Sequence, residues 1–97
     1  MIENVQQFWD DVRKLCFTLA EAGHQDWAGE LANAFRTQFG VEQMARARWV
    51  MAQLRQTSIP DSVGISAKIS ELIQFTDSFG EKHQIHWKEP QDEKGRA

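Results

Sequence analysis

Gly23 divides two stretches whose apolar residues recur every three or four positions, and that division limits what the chain can fold into. Before it, Val5, Phe8, Trp9, Val12, Leu15, Cys16 and Leu19 fall on one helical face, with Asp10, Asp11, Arg13 and Lys14 on the other side. After it, Trp27, Leu31, Ala34, Phe35 and Gln38 keep the same period, and Ala28 and Ala32 widen the stripe. A glycine between two such stretches reads as a left-handed helix stop. Helices that each bury one face against another are the expected outcome.

The same punctuation recurs downstream. Phe39-Gly40 closes the second stretch, Thr57-Ser58-Ile59-Pro60-Asp61 forms a break, and Gly80 is the expected end of a last helix. The spacing predicts helices over 3–21, 25–38 and 41–56, and a fourth from Asp61 or Ser62 to Phe79. Gly64 leaves Ser66 as an alternative cap for that fourth helix. Asn4 is the expected cap of the first, with Gln7 three residues on as a weak capping box. Gly29 costs about 1 kcal/mol against alanine inside a helix, a cost offset if a neighbouring helix approaches closely there. Met44, Ala47, Met51 and Leu54 make the face of the third helix, with Val50 on its flank. Ile65, Ile69, Leu72, Ile73, Thr76 and Phe79 make that of the fourth. Beyond Gly80 the helical period stops; Ile85 and Trp87 alternate with polar residues, as in a short extended segment. The expectation is an all-α chain: a four-helix bundle-like array with a short irregular or extended C-terminal tail. Residues 1–89 form one helical domain and 90–97 a mobile polar tail.

Composition narrows the function. Ninety-seven residues, 41% of them hydrophobic and four of them tryptophan, support a single folded core. A net charge of −3 argues against a nucleic-acid binder, whose domain is strongly basic. The charge is uneven: residues 1–40 carry three basic and six acidic side chains, and residues 41–60 three arginines against one glutamate. Balance between neighbouring helices is the plain explanation. Cys16 stands alone, so no intramolecular disulfide forms and a reducing compartment fits. Without a basic leader or a long apolar run near Met1, no signal peptide or membrane span is expected, and the location is cytoplasmic.

The chemistry-bearing residues do not assemble into a reaction. Cys16 falls on an apolar face, where a thiol is a small hydrophobe rather than a nucleophile, even with His24 near in sequence. His83 and His86 lie close to Asp77 and Glu81, but Gly80 interrupts the helix that would align them and no second thiol is present. Asp10 and Asp11 are adjacent and diverge by about 100° on a helix, which suits a solvated face. No phosphate-cradling glycine loop and no nucleophilic serine motif occur. No enzyme, cofactor or metal is expected. Trp49 and Trp87 fit no core face; Arg46 is placed to stack on Trp49. Aromatic and arginine side chains in company are typical interface anchors. The alternative is that the tail folds back and Trp87 covers Trp49 or an open end of the bundle.

The run Leu19-Ala20-Glu21-Ala22-Gly23-His24-Gln25-Asp26-Trp27-Ala28-Gly29-Glu30-Leu31, then the helix of Met44 to Leu54, then Ile59-Pro60 and a last apolar helix, resembles small all-helical bacterial immunity proteins encoded beside polymorphic or contact-dependent toxins. The resemblance covers roughly residues 8–79 in helix order. The acidic, tyrosine-bearing signature of colicin-type DNase immunity proteins is missing, so no contact residue carries over. It implies a non-enzymatic inhibitor whose partner is a cognate toxin domain, with neither nucleic acid nor membrane as a partner. Glu21, Asp26 and Glu30 are the residues expected to meet a basic toxin such as a nuclease; Arg46, Trp49, His86 and Trp87 form the other candidate patch. A self-associating adaptor with a Trp49 homodimer seam is the alternative, ahead of a nucleic-acid-binding regulator.

Overall fold

The computed structural model describes residues 2–35 and 40–87. Five α-helices and one 3₁₀ turn follow each other: α1 Val5–Glu21, α2 Gln25–Ala32, a 3₁₀ turn Asn33–Phe35, α3 Val41–Arg55, α4 Ile59–Val63 and α5 Ser66–His83. No strand occurs among the described residues. The all-α expectation holds.

Helix α1 begins two residues later than the spacing suggests, at the cap itself. The Asn4 side chain accepts from the Gln7 N–H at 2.8 Å. Gln7 Oε1 accepts from the Glu3 N–H at 3.0 Å, one residue ahead of a regular capping box. The expected stripe is buried from Phe8 to Leu19, whereas Val5 at the open end stays 38% exposed.

Three helices end in the same way, with crossed hydrogen bonds around a residue in the left-handed conformation. At the end of α1, His24 N–H reaches Leu19 O at 2.8 Å and Gly23 N–H reaches Ala20 O at 3.1 Å, with Gly23 at φ +92°. At the end of α4, Ile65 N–H reaches Pro60 O at 2.9 Å around Gly64, at φ +76°. At the end of α5, Ile85 N–H reaches Gly80 O at 2.8 Å around Gln84, a non-glycine residue at φ +59°.

Three further boundaries differ from the sequence expectation. The second helix tightens into a 3₁₀ turn after Ala32, which brings Ala34 fully into the core. Residues 36–38 of its expected span lie outside the described residues, as do the side chain of Phe35 and all of Phe39. The expected fourth helix is two: Gly64 ends α4, and α5 starts afresh with Ser66 as its first residue, so Ile65 and not Ser66 holds the cap position. Gly80 does not stop α5. It lies buried inside the helix, which runs on through Glu81 and Lys82 to His83, three positions into the expected tail. The polar tail expected over 90–97 lies outside the described residues.

The long segments pack in a ring. Helix α1 contacts α2 and α5, α3 contacts α2 and α5, and the short α4 joins α3 to α5. Phe8, Val12, Leu19, Leu31, Met51, Leu54, Ile69 and Leu72 are fully buried at its centre. Each such side chain contributes about 1.5–3 kcal/mol of apolar burial. The α1–α5 seam is aromatic: Phe8 stacks on Phe75 at 5.4 Å, Phe75 lies 6.1 Å from Phe79, and Phe79 meets the His83 ring at 4.3 Å. The start of α1 and the end of α5 line one shallow groove, which takes in Asn4, Val5, Phe79 and His83.

A polar contact also crosses this seam. Asp11, placed on a solvated face by its sequence position, is only 8% exposed. Lys68 of α5 donates to its Oδ2 at 3.2 Å and also lies 3.0 Å from Glu71. The Glu71 carboxylate beside it raises the Lys68 ammonium above its ordinary value, burial opposes that, and Asp11 adds to the rise. Lys68 in turn holds the Glu71 carboxyl below the usual range. Asp10 turns outward to Arg13 and Gln6.

Candidate functional site

The two surfaces singled out by the sequence are built differently. The first surrounds the α1–α2 turn. Residues 15–35 contain Glu21, Asp26 and Glu30 and no lysine or arginine. All three carboxylates are exposed. Glu21 is the last residue of α1; Asp26 and Glu30, four apart, share one face of α2. Asp26 also sits in the first turn of α2, where the positive helix end favours it. A concavity of about 340 Å³ opens here between Gly23, His24, Asp26, half-buried Trp27 and Ile59 of α4.

Sequence periodicity missed one residue of this surface. Phe17 is 64% exposed, the most exposed large hydrophobic side chain among the described residues. It lies four residues before Glu21, so the two share an outward face of α1. The signal was available: Leu15, Cys16 and Leu19 set the buried stripe, and Phe17 falls outside it.

The second surface gathers around Trp87. The segment after Gln84 turns back on α5, and the Trp87 indole settles over Gly80. A β-carbon at Gly80 would stand 2.5 Å from Trp87 Nε1 and 3.2 Å from the Ile85 carbonyl, so only glycine leaves this space. Trp87 Nε1 donates to the Thr76 carbonyl at 2.8 Å. Above the ring, the Arg48 guanidinium carbon lies 5.8 Å from the centroid, within cation–π range. Arg48 Nη1 also donates to Thr76 Oγ1 at 2.7 Å and to Asp77 Oδ1 at 2.6 Å. The cation over the Trp87 indole is Arg48; Arg46, which spacing placed against Trp49, is exposed on α3.

Trp49 and Trp87 both pack against the core as half-buried side chains. The described part of the tail, up to Trp87, folds back on the core, as one of the two sequence readings had it. His86 is exposed beside Trp87. Between Arg48, Trp49, Gln53, Gln56 and Trp87 lies a cleft of about 250 Å³. Trp49 Nε1 is shielded from solvent and has no acceptor among the described residues. A buried donor in that state costs about 1–3 kcal/mol.

Other reactive groups are occupied in the fold. Burial pushes the Cys16 thiol up to about 11, which keeps it protonated at neutral pH. The His83 ring packs at a tilt against Phe79. Among the described residues, no three His, Cys, Asp or Glu side chains gather as a metal site would need. Both clefts fall at or below the lower end of the about 300–1,000 Å³ typical of small-molecule pockets. No helix among the described residues is long and apolar enough to cross a membrane. No family model matches the chain, and neither the curated proteins nor the solved structures contain a match to it.

Proposed function

We propose that the chain is a non-enzymatic immunity-type protein of the bacterial cytoplasm, which binds a cognate toxin domain and blocks it through a protein–protein interface. The carrying observation is the acid-only stretch from 15 to 35, displayed as exposed Glu21, Asp26 and Glu30 beside a concavity and the exposed ring of Phe17. An aromatic anchor next to exposed carboxylates suits a basic protein, a nuclease domain being the chemistry expected. Complementary charge speeds encounter, and a desolvated aromatic supplies strength.

Affinity capture from the native host, with elution under denaturing conditions, tests the reading. A stoichiometric partner carrying a small C-terminal toxin domain is the expected result. Reversing Glu21, Asp26 and Glu30 together to lysine should slow association with that partner by about tenfold or more at low salt. Unchanged binding would remove the acidic surface from the interface. Sedimentation of the pure protein as a tight dimer that retains no partner would replace the reading with a self-associating adaptor.

A further inference from the structure

The cleft beside Trp49 holds a set of donors without a matching set of acceptors. Arg48 makes both of its hydrogen bonds through Nη1, so the N–H groups on Nη2 and Nε make none among the described residues. Trp49 Nε1 likewise has no acceptor among them. The Gln53 and Gln56 amides line the same cleft. The Asp77 carboxylate is already engaged by Arg48. Helix α3 carries Arg46, Arg48 and Arg55 against Glu42 alone, which makes this the basic side of an acidic chain. At about 250 Å³ the space suits a side chain rather than a cofactor.

We propose that this cleft is a docking site for an acidic segment of a protein partner, with one aspartate or glutamate side chain entering between Trp49 and Trp87 to meet Arg48 and the Trp49 N–H. A carboxylate offers lone pairs to the guanidinium fork and to the indole donor together, while its aliphatic stem lies between the two rings. The Trp49 N–H is shielded from solvent, so a carboxylate reaches it only if a wall of the cleft moves aside, and Trp87 is one of those walls. Its indole is held by the Thr76 carbonyl and by Arg48, and the chain reaches it through Gln84 in the left-handed region. This second surface is independent of the acidic one around the α1–α2 turn and of the identity proposed for the chain.

Nuclear magnetic resonance of the four indole N–H groups in the full chain provides the test. The probe is a tetraglutamate peptide blocked at both ends, with a blocked tetraglutamine peptide and a short single-stranded oligonucleotide as comparisons. The expected result is a saturable shift of the Trp49 and Trp87 signals with tetraglutamate at millimolar concentration, while Trp9 and Trp27 stay in place. Arg48→Gln should abolish the shift, but it also frees Thr76 and Asp77. Gln53→Glu is the cleaner variant: it adds a carboxylate at the cleft wall, leaves the core alone and should weaken the peptide about tenfold. Unmoved Trp49 and Trp87 signals would overturn the proposal. So would an equal response to tetraglutamine, which denies selection for a carboxylate, or a stronger response to the oligonucleotide, which assigns the cleft to phosphate.

Discussion

Two glycines that look alike in the sequence do opposite work. At Gly29 an added β-carbon meets nothing within 4 Å, so no close helix approach offsets the cost of glycine there. At Gly80 the same atom would run into the Trp87 indole and the Ile85 carbonyl. Gly29→Ala should therefore raise stability by about 0.5–1 kcal/mol in urea unfolding. Gly80→Ala should lower it by about 1–3 kcal/mol and change tryptophan fluorescence, because the indole has to leave its seat. Gln84 presents the converse case, a side chain where the backbone favours none. Gln84→Gly should stabilise by about 1 kcal/mol, with the crossed hydrogen bonds to Gly80 and Glu81 retained. A lower urea midpoint for that variant would show that the Gln84 side chain makes a compensating contact. None of these distinctions was visible in the sequence. Gly23 and Gly80 both follow an apolar-periodic run, and only the fold shows that one turns the chain while the other makes room for a ring seven residues on.

At the level of elements, the sequence identified the faces better than it identified the ends. The stripes of α1, α3 and α5 are buried as spaced, because a period of 3.6 repeats over several turns and averages out single exceptions. Ends depend on a few residues and on what lies nearby. The tightening after Ala32 and the run of α5 through Gly80 are both tertiary effects. Contacts between helices were equally hidden. Spacing along α3 pairs Arg46 with Trp49, but Arg48 finds its indole in a segment remote in sequence. Asp11 reads as surface on α1 until α5 lays Lys68 across it. Lys68 also pairs with Glu71 beside it, and that pair sets a pH dependence. The Glu71 carboxyl, held low by Lys68, contributes stability that is present above its unfolded value of about 4.3 and lost as pH falls through the lower folded value. Lys68, held high, contributes below its unfolded value of about 10.4, and that contribution is lost as pH rises through the higher folded one. Lys68→Gln should lower stability at neutral pH, where buried Asp11 loses its partner across the seam. It should also flatten both limbs of a melting-temperature profile against pH. Parallel profiles for the variant and the parent would show that the contact is ornamental.

The whole molecule places its two candidate surfaces on elements of different character. The acidic one lies on the α1–α2 hairpin and was legible because residues 15–35 lack any lysine or arginine, a property of sequence alone. The donor-rich cleft joins α3 to a segment beyond α5, and only its tryptophans announced it. Phe17 shows why reading for a core conceals a surface: a residue off the stripe is discarded by the same rule that finds the stripe. The ring of helices carries one more consequence. Helix α1 starts where α5 ends, with Asn4 and His83 on the walls of one groove. A load applied at those two residues pulls at the same edge of the seam. The aromatic contacts run from that edge inward, Phe79 to Phe75 to Phe8, so such a load should open them one after another, like a zip, instead of all together.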